Sequence, residues 1–203
     1  MKLQERFKKV LLNIGFETSK IDYLWTDLEK VYSAKSRYYH NLTHLEEMIS
    51  LFDSHCAQLQ FPNEVLYSIF YHDYVYKVTR KDNELKSAVH AVEILPLDTT
   101  LNKQLVFNMI VATQHHQHNA IEDINWLIDF DLKILSKDWE NYKTYCQQIR
   151  KEYKIYPNLL YNPGRKKALQ HFIENPSIYQ TEVFRNQYEA IARANIQAEL
   201  NLL

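Results

Sequence analysis

The chain has 203 residues, 46% of them hydrophobic and 24% charged, which is enough for a sizeable core without disulfide or metal staples. With 24 Lys and Arg against 25 Asp and Glu, the formal net charge of −1 excludes both a basic field that gathers nucleic acid and the acidic excess of a disordered chain. No apolar run approaches the ~18 residues of a membrane span, the opening Met1-Lys2-Leu3-Gln4-Glu5-Arg6 lacks a signal-peptide core, and Cys56 and Cys146 are too far apart for a thiolate metal motif. The expectation is a cytoplasmic protein with no membrane partner and no extended nucleic-acid surface.

Period-3.6 patterning dominates and sustained alternation is absent, so the fold class is all-α, a single globular bundle of about nine or ten helices spanning residues 1–203. A first helix from Leu3 ends at Gly15, which suits the residue after a C-cap, and a second follows a Thr18-Ser19 cap. The third starts near Asn41 and runs to Leu59, and Pro62 opens the fourth. Tyr74 to Thr79 is the one strand-like stretch. Asp82 caps a helix carrying Leu85, Ala88, Val89 and Val92, and Thr99 or Thr100 caps the one that reaches His116. Later helices cover Asp123 to Leu135, Asp138 to Tyr153, Pro163 to Glu174 and Thr181 to Leu200. No repeat or low-complexity linker divides the chain.

Polar groups intrude on several of these apolar faces. At 100° per residue His72 falls at about −20° from Val65, and Asp73 at about −20° from Leu66, so both continue the buried stripe of the fourth helix. A buried imidazole and carboxylate need partners, and a metal ion is one; a His–Asp hydrogen bond closing the helix end is the plainer alternative. Asp131 lies at about −20° from Ile124, inside the stripe of Leu127, Ile128 and Leu135, whereas Asp129 points outward. His40 and His44 stand at i and i+4 where the third helix begins, a spacing that allows joint ligation and equally suits two solvent-edge histidines. In Thr113-Gln114-His115-His116-Gln117-His118, His116 falls at about 20° from Leu105 and faces inward, with His115 at the edge.

The order Arg37-x-x-His40, His72-Asp73, Asp131 resembles the HD-domain superfamily of metal-dependent phosphohydrolases. The chain is most similar to its small subgroup of predicted metal-dependent HD phosphohydrolases, through Arg37-Tyr-Tyr-His40-Asn-Leu-x-His44, Phe70-Tyr-His72-Asp73-x-Val-Tyr76, Asp82-Asn83-Glu84-x-x-Ser87-Ala88, Thr113-x-x-His116, Asp129-x-Asp131-Leu132-x-Ile134-Leu135, Gly164-Arg165 and Ala192-Arg193-Ala194-Asn195. That set runs from Ser33 to Leu200. The resemblance implies that His40, His72, Asp73 and Asp131 ligate a divalent ion; a two-His, two-Asp set suits Mn, Fe, Co, Ni, Zn or Mg, and its identity is open. It also implies an acidic residue acting on the attacking water. Glu84 is the candidate, and as a first-turn glutamate it also suits the helix dipole.

A small phosphorylated molecule, a nucleotide among them, is then the expected substrate, with Arg37 and Arg165 the basic residues placed to meet phosphate. The implied activity is hydrolysis of a phosphomonoester or phosphodiester by a metal-activated water. Two alternatives use the same residues. A diiron oxygenase of the HD fold would take His44 and His116 toward a second metal or substrate, and a non-catalytic metal or nucleotide-binding module would bind without turnover. A homodimer is compatible with the sequence.

Overall fold

The computed structural model describes residues 2–203. It is all-helical, as expected, with ten α-helices and no strand among the described residues, and no helix is long and apolar enough to cross a membrane. The chain resolves into two compact units that divide between His115 and His116. The division falls inside the His-rich stretch, where neither composition nor a linker marks it.

The first unit holds α1 (Leu3–Asn13), α2 (Thr18–Tyr32), α3 (Leu42–His55), α4 (Pro62–Tyr71), α5 (Asn83–Glu93) and α6 (Lys103–Ala112). α1 stops as its sequence predicts. Gly15 takes φ +100°, and its N–H and that of Phe16 return to the carbonyls of Leu12 and Leu11, closing the last turn. α4 is the centre, packed against α1, α3, α5 and α6. Pro62 occupies its first turn, where a missing N–H costs no helical bond. Every residue from Glu64 to Tyr71 is buried, the mark of a helix enclosed on all sides.

Several starts and stops differ from expectation. Thr18 is the first helical residue of α2, after Glu17, not part of a side-chain cap. α3 ends at His55 and a tight 3₁₀ turn, Cys56–Gln58, completes the stretch expected to be helical. Asp82 stands at the N-cap of α5 but makes no capping bond, because its carboxylate takes Arg80 at 2.8 and 3.0 Å. Asn102, accepting from the Leu105 N–H at 3.0 Å, caps α6. Thr99 instead ties its hydroxyl to the carbonyl of Ile14.

The strand-like Tyr74 to Thr79 stretch forms turns, since side chains of α5 take its backbone groups. Ser87 Oγ accepts from the Val75 N–H at 3.0 Å and donates to its carbonyl. Asn83 pairs with both the N–H and the C=O of Lys77.

The second unit holds α7 (Glu122–Leu132), α8 (Trp139–Glu152), α9 (Asn158–Glu174) and α10 (Glu182–Leu202). A 3₁₀ turn, Lys133–Ser136, follows α7 and meets α8 and α10, while α9 packs on α10. Asp138 and Thr181 cap α8 and α10 through their side chains. α9 begins five residues earlier than Pro163 suggests, with the proline inside it. Arg150 holds that early start by donating from Nε and Nη2 to Asn158 Oδ1 at 3.1 and 2.8 Å.

Candidate metal centre

The last turn of α4 delivers His72 at its C-cap and Asp73 just beyond, both at the end of the enclosed helix. His72 is 1% exposed, and its Nδ1 lies 2.9 Å from the carbonyl oxygen of Ile69. A carbonyl only accepts, so Nδ1 carries a proton and donates to it, and Nε2 is the ring nitrogen turned to the neighbouring side chains, as in many metal-ligating histidines. That Nε2 is 3.2 Å from Oδ2 of Asp73 and 3.3 Å from Nε2 of His44. His44 comes from the first turn of α3 and is itself buried; Asn41 fixes that turn by accepting from the N–H groups of Thr43 and His44.

The chemistry of these donors fits a cation. His44 and His72 turn their Nε2 atoms toward each other 3.3 Å apart in a buried setting, and a divalent ion is one group that both can ligate. Ligand bonds of about 2.0–2.2 Å at angles of about 90–110° place neighbouring donor atoms roughly 2.8–3.6 Å apart, and the 3.3 Å between the two Nε2 atoms falls in that interval.

The other residues expected here in the first unit are placed as follows. The His40 ring lies against Tyr76, centroids 4.2 Å apart, and 6.1 Å from the ring of His44. The His44 ring lies against that of His72, with centroids 5.4 Å apart. Arg37, expected to meet phosphate, is buried and donates to the carbonyls of His40 at 3.1 Å and Tyr74 at 2.9 Å. Its guanidinium sits between the rings of Tyr32 and Tyr76. It is a clamp between the segments before and after the His-Asp pair. Glu84 is partly buried in the first turn of α5, where the helix dipole favours a carboxylate. Asn83 and Ser87, which moor the loop after Asp73, were not assigned a role from sequence, although the Asp82-Asn83-Glu84-x-x-Ser87 spacing contained them.

In the second unit His116 and Asp131 meet, with Nε2 to Oδ2 at 3.3 Å. His116 is not helical as expected. α6 ends at Ala112, and His116 holds φ 52°, a left-handed conformation that its sequence neighbours gave no sign of. The outward placement of Asp129 is corrected. Asp129 is fully buried and accepts from the N–H of Gln180 at 2.6 Å and the N–H and hydroxyl of Thr181 at 2.8 and 2.7 Å, whereas Asp131 is the partly exposed one. Burial pushes the Asp129 carboxyl up to about 7 against the pull of those donors. α7 is buried from Asp123 to Phe130, so it has no solvent face for a helix wheel to identify.

Arg165, the other residue expected to meet phosphate, is committed within the second unit. Its fork takes both oxygens of Glu199 at 2.7 and 2.9 Å, with the guanidinium over Tyr145. Its donors hold α9 to α10. No family model matches the chain, and neither a curated protein nor a solved structure does.

Proposed function

We propose that the protein is a metal-dependent phosphohydrolase that cleaves a phosphomonoester or phosphodiester of a small molecule, such as a nucleotide, with a metal-activated water. What carries the proposal is the setting of His72, whose Nδ1 is committed to the Ile69 carbonyl while its Nε2 faces Asp73 and His44. The HD-domain resemblance supplies the reaction class. By the same resemblance His40 and Asp131 would complete the ligand set, and that part rests on the resemblance alone.

A bound divalent ion supplies a water of lowered pKa and neutralises charge on a phosphoryl group. The chain's part is to bring the two imidazoles and the Asp73 carboxylate to the buried end of α4, and to hold the loop after Asp73 in place through Arg37, Asn83 and Ser87. Glu84, at the start of the helix that moors that loop, is the carboxylate we assign to accepting the proton of the attacking water.

The test is a screen of protein reconstituted with Mn, Fe, Co, Ni, Zn or Mg against phosphomonoesters, linear and cyclic diesters and nucleotides. Ester cleavage that requires metal, read as phosphate release from monoesters and as a monoester product from diesters, and that is abolished by a chelator and by His72→Ala, is expected. Ion binding with no ester cleaved would make the protein a binding module, and oxygen-dependent turnover with two irons would make it an oxygenase; either result overturns the proposal.

A further inference from the structure

α8 presents Trp139, Lys143, Cys146, Gln147, Arg150 and Lys151 along one groove of about 640 Å³ in the second unit. Their spacing of 4, 3, 1, 3 and 1 residues is a single face of a helix, and the twelve steps from first to last span about 18 Å. Tyr161 of α9 and Glu199 and Leu202 of α10 form the opposite side, the Glu199 carboxylate being taken up by the fork of Arg165. The volume falls within the range of small-molecule sites, roughly 300–1,000 Å³.

Two features of this groove point to a ligand. The first is Arg150. It makes four hydrogen bonds, to Asn158 Oδ1 twice and to the carbonyls of Tyr153 and Tyr156, and every acceptor is neutral. Arg165 and Arg193 in the same unit are each paired with a carboxylate, Glu199 and Glu189. Arg150, stacked on Tyr161 at 4.6 Å, is thus a fixed guanidinium with no anion against it and one Nη1–H uncommitted. Lys151 follows it on the same face. The second is the apolar remainder. The Trp139 indole has one neighbour stacked at 22°, Tyr142, and Leu202 is 74% exposed. The Cys146 thiol is held neutral because burial and the charge of Glu199 push it up to about 12.

We propose that this groove is a second binding site, separate from the metal centre, for a small amphiphilic anion, with Arg150 and Lys151 meeting a sulfonate-, carboxylate- or phosphate-type head and Trp139, Tyr161 and Leu202 covering an apolar body. The class follows from the pairing of a rigid uncompensated cation with an apolar wall; a neutral apolar molecule would leave the guanidinium without its counter-charge, and an inorganic anion would leave the wall bare.

The test uses anilinonaphthalene sulfonate and its uncharged relative phenylnaphthylamine, which share one apolar body and differ by the sulfonate. Titration of the whole protein, followed by Trp139 quenching with Trp139→Phe as control, should give one saturable sulfonate site, at least tenfold weaker for the uncharged probe. Lys151→Glu should weaken the sulfonate at least tenfold and leave the uncharged probe unchanged. Gln147→Trp, at an exposed groove position, should block both while the helical spectrum stays intact. Equal affinity for the two probes, or saturable binding that survives both substitutions, would overturn the proposal.

Discussion

Nη2 of Arg37 donates to the carbonyl of Tyr74 at 2.9 Å, tying the chain just before His40 to the chain just after His72 and Asp73. With its second bond to His40 and its place between two tyrosine rings, the side chain holds the edges of the candidate metal centre together. Arg37→Met should therefore destabilise the protein by about 2–4 kcal/mol with no phosphate or metal present, because two carbonyls lose a charged donor. Chemical denaturation of the metal-free variant measures this. Unchanged stability would return Arg37 to a substrate-contact role.

Glu84→Gln should retain metal and lower turnover by about 100-fold or more, the scale of a lost general base. Metal content and kcat on the best ester of the screen are the two readouts. Full turnover in this variant would leave Glu84 as a residue of the α5 dipole alone.

The Arg165–Glu199 pair gives a pH dependence with a defined sign. Burial raises the Glu199 carboxyl, but the hydrogen bonds and charge of Arg165 outweigh it, and the net shift is downward. A carboxylate depressed in the folded state contributes stability above its unfolded value of about 4.3 and loses it as pH falls through the lower folded value. Glu199→Gln strands a buried guanidinium and should cost about 3–5 kcal/mol at pH 7. The gap between wild type and variant should close as the pH is lowered below about 4; urea melts across pH 3–7 check it, and a gap independent of pH would contradict the assignment.

Cys146 should resist alkylation. With its thiol pushed up to about 12 by burial and by Glu199, its thiolate fraction at pH 8 is ~10³-fold below that of an ordinary thiol. Mass spectrometry after iodoacetamide should find Cys146 unmodified in native protein and modified once it is unfolded. Rapid native labelling would show that the groove around it is looser than described.

Much of the fold was legible because α1, α3, α4, α8 and α10 carry their own punctuation, such as Gly15, Asn41, Pro62, Asp138 and Thr181. The His72-Asp73 pair was legible because two polar residues prolong the apolar face of α4. Where a residue bonds out of its own element, sequence failed. Thr99 holds Ile14 instead of capping α6, Asp82 holds Arg80, and Arg150 anchors the start of α9 ahead of Pro163. Helix-wheel angles misplaced Asp129 because a helix enclosed on nearly all sides has no polar face to set the phase. The ring pairing of His44 with His72, 28 residues away, depends on how α3 meets α4, which no local pattern encodes.

Metal content of the dialysed, reconstituted protein, measured by elemental analysis for wild type, His44→Ala and His72→Ala, tests the central claim most directly. Wild type should retain a stoichiometric divalent ion and rise in melting temperature when it binds, while both variants stay helical, lose the ion and show no shift. Wild-type metal content in the His72→Ala protein, or a metal-free wild type whose melting temperature no divalent ion moves, would contradict it.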